Sequence, residues 1–312
     1  MKKLILALAA ASLLAPSGAQ AQEAVFRPVG GWTADFGDDY CRLIRNFSDG
    51  SHQVQMALER TQPGPWTRIL LVGDGITPFR GADTIAYTFT PGGNEFRGRY
   101  IKSETADGKP FLGFDQLVLQ LTPPPFTPGV PPPIYNRATE QERVAPITGF
   151  TLGAGLTSPV RFETGSLRAP VGVMQQCADD LLTVWGLDAL KHQTATALPV
   201  PVPREDGVLP QGTIPFTEFE KLIGNANFVR VMIGADGKPT ACTIRTPTLS
   251  ESMNNRICGL VMSRATFVPA KDSAGEPMAS YWMGSPLFLG PPPRGGGRGG
   301  GGGAPPDGGQ GG

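Results

Sequence analysis

The chain has 312 residues, room for two domains, and its 27 basic side chains balance 27 acidic ones. Setting aside Lys2 and Lys3 leaves 25 against 27, so no global charge draws the chain to nucleic acid or to anionic lipid. Charged residues are only 17% of the total, whereas Gly numbers 42 and Pro 32. That balance disfavours a helical bundle and suits strands joined by many turns.

At the N-terminus Lys2 and Lys3 precede a run from Leu4 to Ala15 that is apolar or small apart from Ser12. Pro16, Ser17 and Gly18 then break it before Ala19-Gln20-Ala21, an A-x-A cleavage site, so residues 1–21 read as a secretory signal peptide. The run is shorter than the roughly 20 residues a membrane-crossing helix needs. The expectation is an exported chain, periplasmic or secreted in a Gram-negative envelope, with no stable membrane insertion after cleavage.

Residues 22–194 read as a β-rich domain. His52, Val54, Met56 and Leu58 alternate with Gln53, Gln55 and Ala57, the period-2 mark of a half-buried strand. Arg68–Val72, Thr84–Phe89, Glu95–Ile101 and Gln116–Leu121 are further strand candidates. Gly73-Asp74-Gly75, Pro91-Gly92-Gly93 and Asp107-Gly108 punctuate them as turns. Short strands at this spacing predict an antiparallel sandwich or barrel; the expected form is sandwich-like, with one packed helix. Pro123–Pro125 and Pro131–Pro133 cannot continue a central strand and predict a surface excursion. Pro170 to Trp185 predicts the helix, with Pro170 in its first turn and Gly186 at C′. Its apolar stripe includes Cys177 and faces the sheet.

Residues 195–212, with prolines at 199, 201, 203 and 210, read as a semi-rigid extended linker. A second domain follows over residues 213–289: a strand ending at Ile233, an Asp236-Gly237 hairpin turn, and a returning strand with Cys242. Thr248 with Glu251, or Ser250 instead, caps a helix lasting to about Arg264. Met253, Ile257, Leu260 and Val261 form its stripe and bring Cys258 toward Cys242. Pro277–Leu289 supplies a last strand. Residues 290–312 hold no apolar side chain larger than Ala304 or proline and read as a disordered Gly/Pro/Arg tail. The fold class expected is thus α+β: a sandwich-like domain plus a small ββαβ domain.

Four cysteines, Cys41, Cys177, Cys242 and Cys258, suit disulfides in an oxidising compartment, with three connectivities open. The favoured pairing is Cys242–Cys258 with Cys41–Cys177, each clamping a helix to a strand.

The second domain resembles the C-terminal domain of TonB, the periplasmic part of a bacterial energy transducer. The residues that carry this are Val229, Val231 and Ile233 before Asp236-Gly237, Met253 on the helix, Phe267-x-Pro269-Ala270, and Asp272, Gly275 and Pro277 behind it. Paired cysteines on the second strand and helix look like disulfide-bearing variants of that family. The chain departs at Thr246-Pro247-Thr248, where the family has Ser-Ser-Gly, and at Met253-Asn254, where it has Leu-Asp. The resemblance implies a module that adds an extended peptide to a sheet edge, here the strand of Ser280, Trp282 and Leu287, with an envelope protein or peptide, an outer-membrane receptor among them, as partner. It also implies one alternative, a transducer whose N-terminus is retained as an anchor. A separate alternative, independent of the resemblance, is an envelope enzyme acting through the β domain.

Catalytic signals are sparse. No G-x-S-x-G, H-E-x-x-H or Walker A motif occurs, so no catalytic, cofactor or metal residue is expected and the chain reads as a non-enzyme. His52 beside Ser51, with Asp38, Asp39 or Asp49 to orient it, is the one arrangement with triad residue types. Asp179-Asp180 reads as a solvated helix face, and His192 as a solvated residue on the linker side of a helix end.

Overall fold

The structure is a computed structural model and describes residues 23–123, 134–222 and 227–291. The signal peptide, nearly all of the tail and most of the proline-dense stretch lie outside the described residues.

Nine strands form a closed barrel: β1 (Ala24–Gly37), β2 (Tyr40–Ser48), β3 (Gln53–Arg60), β4 (Trp66–Gly73), β5 (Thr84–Thr90), β6 (Glu95–Glu104), β7 (Pro110–Val118), β8 (Gly149–Leu152) and β9 (Val160–Glu163). Their order is β1-β2-β3-β4-β7-β6-β5-β8-β9. The parallel pairing of Ala24 with Val160 and Phe26 with Phe162 closes the ring; the other pairs are antiparallel. This corrects the expected α+β fold with a sandwich-like domain. The strands are short and alternating in either case. Closure depends instead on two four-residue strands, β8 and β9, and on β1, whose Ala24, Val25 and Phe26 pair with β9 while Arg27 to Gly37 run along β2 with a register shift between Val29 and Thr33.

Side chains fill the barrel. Phe26, Phe47, Phe89, Phe114, Phe150 and Phe162 are all essentially inaccessible, and Phe26–Phe162 and Phe89–Phe150 lie 5.1 and 5.3 Å apart. Each buried ring contributes about 1.5–3 kcal/mol. Helix α1 (Arg137–Val144) buries Glu140 against Arg60 of β3, with bonds of 2.7 and 3.1 Å. Tyr135 donates to Glu140 at 2.6 Å and Gln175 of α2 (Arg168–Val184) at 2.9 Å. Burial alone would raise the Glu140 pKa, but the Arg60 charge and these donors outweigh it and hold the carboxylate below its ordinary range. Cys41–Cys177 then ties α2 to β2 across 136 residues of chain, a closure worth on the order of 5 kcal/mol in the chain-entropy picture.

After α3 (Ala189–Gln193) comes β10 (Val200–Pro201). The C-terminal unit holds β11 (Phe228–Ile233), β12 (Pro239–Arg245), α4 (Glu251–Arg264), β13 (Phe267–Val268), β14 (Ala270–Lys271), β15 (Pro277–Met278) and β16 (Ser280–Gly284). Its main sheet has the order β12-β11-β16. Val229, Val231, Ile233 and Trp282 share a core with Ile257 and Val261 of α4. Ser250 caps α4 by accepting from the Met253 N–H. At the β11–β12 turn Gly237 has φ +77°, and a Cβ there would stand 2.2 Å from the Phe267 carbonyl oxygen, so only glycine fits.

Residues 195–212 are not a free spacer. Thr196 N–H donates to the Lys271 carbonyl at 2.8 Å, Lys271 N–H to Ala197 at 2.9 Å and Val202 N–H to Thr266 at 2.8 Å, and β10 pairs with β13. Strand alternation aims the even-numbered N–H groups at β13 and leaves Pro199, Pro201 and Pro203, which have none, on the outer side. Arg264 then donates to the Val208 carbonyl at 3.0 Å, and Leu209 to Leu289 at 2.8 Å.

Candidate functional site

The C-terminal sheet is covered on both faces. Helix α4 packs on one. On the other, the end of the barrel and the α2–α3 corner supply Asp38, Asp39, Thr61, Trp185 and His192 to a seam with Arg230, Arg245 and Tyr281, with Ser280 at its border where β16 begins. Arg230 pairs with Asp39 and stacks its guanidinium 4.4 Å from the Trp185 ring. Trp185 meets the Tyr281 ring edge-on at 5.0 Å and donates from Nε1 to the Asp38 carbonyl at 3.2 Å. Arg245 donates to the Thr61 carbonyl at 3.4 Å. Burial pushes the Tyr281 phenol well above its ordinary pKa and the His192 imidazole below its ordinary 6.5.

Ser280, expected on a partner-binding edge, lies in this seam: it is fully buried, with Oγ 3.0 Å from His192 Nε2. A hydroxyl–imidazole contact of this kind can activate a nucleophile, but no substrate reaches a side chain with zero exposure, and the pair serves as an interdomain hydrogen bond. His192, expected as a solvated linker-side residue, is thereby a seam residue.

Trp282 is only 3% exposed, yet its edge lines a groove of about 450 Å³ with Val200, Val202, Val208, Phe288 and Leu289. Leu287, also expected at the partner edge, stands beside the groove and is 43% exposed; Phe288 is 57% exposed. The groove lies at the rim of the sheet where β16 is the outer strand. The printed register and the Asn227 N–H to Thr246 carbonyl bond fix the ladder's alternation: on β16, residues 281 and 283 turn their backbone groups to β11, and 280, 282 and 284 turn theirs away from it.

The cysteines pair as Cys41–Cys177 and Cys242–Cys258, with Cα atoms 5.8 and 5.5 Å apart, and none is free. These disulfides fit an extracytoplasmic compartment. Among the described residues no helix is long and apolar enough to cross a membrane.

His52 bonds through Nδ1 to Asp49 Oδ2 at 3.0 Å, and Asp49 Oδ1 also accepts from the Ser51 and His52 N–H groups. Burial opposes ionisation of Asp49, but the His52 side chain and these N–H donors outweigh it and bring its pKa down to about 2. This is a turn built on an aspartate; Asp38 and Asp39 sit in the seam instead. Asp179 accepts from Arg137 at 2.6 Å and from Gln193 at 2.9 Å. Sequence reasoning missed the roles of Arg230, Trp185 and Tyr281, which carry no periodic signal, and of Arg60 and Glu140, which lie 80 residues apart.

Comparison with protein-family models, with curated proteins and with solved structures returned no match to this chain.

Proposed function

We propose that the protein is a periplasmic interaction component of the cell envelope whose C-terminal unit takes up an extended segment of an envelope protein at the β16 rim. The observation that carries this reading is the coincidence of two features. The outer strand turns the backbone groups of Ser280, Trp282 and Gly284 away from β11; these residues are buried under the chain that closes around this rim, so an added segment displaces that chain. A mostly apolar groove at the same rim, lined by Trp282, Val202 and Phe288 with Arg204, offers side-chain pockets. Strand addition uses both, the ladder for affinity and the pockets for selectivity. The β12 edge has the ladder alone: Thr240, Ala241 and Thr243 are exposed and small. The linker already lies along β13 as an added strand, so the unit accommodates extended chain at its rim. The resemblance to the TonB C-terminal domain supports the same reading, with an outer-membrane receptor among the candidate partners.

The test is capture from envelope extract by the tagged full chain, compared with a Val202→Asp, Phe288→Asp variant. The reading predicts a discrete partner whose recovery falls at least about tenfold when the groove is charged, since an ion desolvated against apolar walls costs well over 1.4 kcal/mol. Recovery unchanged by the double variant contradicts it.

A further inference from the structure

The two disulfides sit in opposite environments. Cys41 and Cys177 are 0 and 1% exposed and share a small core with Leu181. Cys242 and Cys258 are both partly exposed. Cys242 lies mid-strand on β12, at the margin of the C-terminal core against which it packs, and is only partly covered there. Beside Cys258 is Gly259, itself exposed, where an added Cβ would meet nothing within 4 Å. Thiol–disulfide exchange needs a thiolate to reach one sulfur in line with the bond it breaks, so access decides which disulfide reacts while the fold is intact.

The attachment of α4 does not depend on its cross-link. Ile257 and Val261 are fully buried against the sheet. Asn227 Oδ1 accepts from the Thr248 and Leu249 N–H groups at 3.1 and 3.2 Å and holds the segment leading into the helix. Opening the sulfur bridge therefore leaves the helix in place.

We propose that Cys242–Cys258 is a thiol–disulfide exchange site served by a dithiol partner, while Cys41–Cys177 is a permanent cross-link. A thiolate of the reduced dithiol attacks one sulfur of the pair. The Cys242–Cys258 bond breaks, a mixed disulfide forms, and the released cysteine sulfur takes a proton. The second thiol of the partner then resolves the mixed disulfide. Two electrons and two protons end on Cys242 and Cys258, and the partner leaves as a disulfide; re-oxidation runs the same steps in reverse. Neither the groove nor strand addition enters the chemistry, so this site stands or falls apart from the proposed function.

The experiment exposes the folded full chain to dithiothreitol, quenches with an alkylating reagent at intervals, and maps the labelled peptides by mass while near-UV circular dichroism follows tertiary structure. Cys242 and Cys258 should label at least about tenfold faster than Cys41 and Cys177, with the dichroism unchanged. Equal labelling of the two pairs, or labelling that tracks loss of the dichroism signal, overturns the proposal. A Cys242→Ser, Cys258→Ser variant should keep the native spectrum; failure to fold also overturns it.

Discussion

His192 Nε2 lies 3.0 Å from Ser280 Oγ while His192 Nδ1 lies 2.7 Å from the Asp188 carbonyl oxygen. A carbonyl only accepts, so Nδ1 carries the proton, and Nε2 accepts from the serine hydroxyl. This neutral imidazole joins the α3 segment of the barrel unit to β16 of the C-terminal sheet, and its ring stacks 6.4 Å from that of Tyr281. Loss of the neutral form removes the serine's acceptor.

The pH dependence follows in sign. Burial holds the His192 pKa in the folded state below 6.5, with the Asp188 carbonyl and carboxylate opposing only in part. The unfolded chain then binds the proton more readily than the folded one. Stability from the neutral imidazole is full above pH 6.5 and is lost as pH falls below it, through the lowered value. Calorimetric melts from pH 7.5 to 5 should show the wild type losing ground to a His192→Gln variant, which cannot titrate. A constant difference between the two across that range contradicts this.

Arg60 and Glu140 are 1 and 0% exposed and pair at 2.7 Å. Removing one charge strands the other, so Glu140→Gln should destabilise by about 3–5 kcal/mol in urea unfolding. Arg60→Met with Glu140→Leu should cost less than Glu140→Gln alone, because the fully buried Arg60 charge is removed with its partner and only the partly exposed Arg143, 3.6 Å from Glu140, loses a contact. Additive losses in the double variant would contradict the pairing.

Arg230 stacks on Trp185 and pairs with Asp39, which is itself 42% exposed. Solvent screening trims the ion pair, and Arg230→Ala should cost about 1–2 kcal/mol. The loss should appear as faster amide hydrogen exchange in both β11 and β16 and as a change in Trp185 emission, while the barrel strands stay protected.

Ladder alternation separates two neighbouring residues of β12. The Ile244 N–H faces β11, and the Thr243 N–H faces the open edge. Thermal melts should show Thr243→Pro costing under about 1 kcal/mol and Ile244→Pro about 3 kcal/mol or more. Comparable losses at both positions would mean the register is shifted.

How far the sequence could be read follows from what is local. Val54, Met56 and Leu58 alternate along β3 because a half-buried strand demands it, and Ser250 stands where α4 needs a cap. Barrel closure was not legible: Ala24 meets Val160 through two short segments with no pattern of their own. Prolines 199, 201 and 203 suit a stiff spacer, and their period of two also fits a strand whose outer edge has no donors. Ser280 has the alternation of an exposed edge, but it is buried where His192, far away in sequence, reaches it. Trp282 and Leu287 lie at the groove because the linker and the segment after β16 close around that rim, an arrangement that no single stretch encodes.

Strand addition at the β16 rim is the central claim, and crosslinking in living cells tests it most directly. A photoreactive amino acid placed at Val202 or Phe288 should trap one discrete envelope protein, and the same group at Thr240 on the opposite edge should trap none. Absence of an adduct from both groove positions, or the same adduct from Thr240, contradicts the claim.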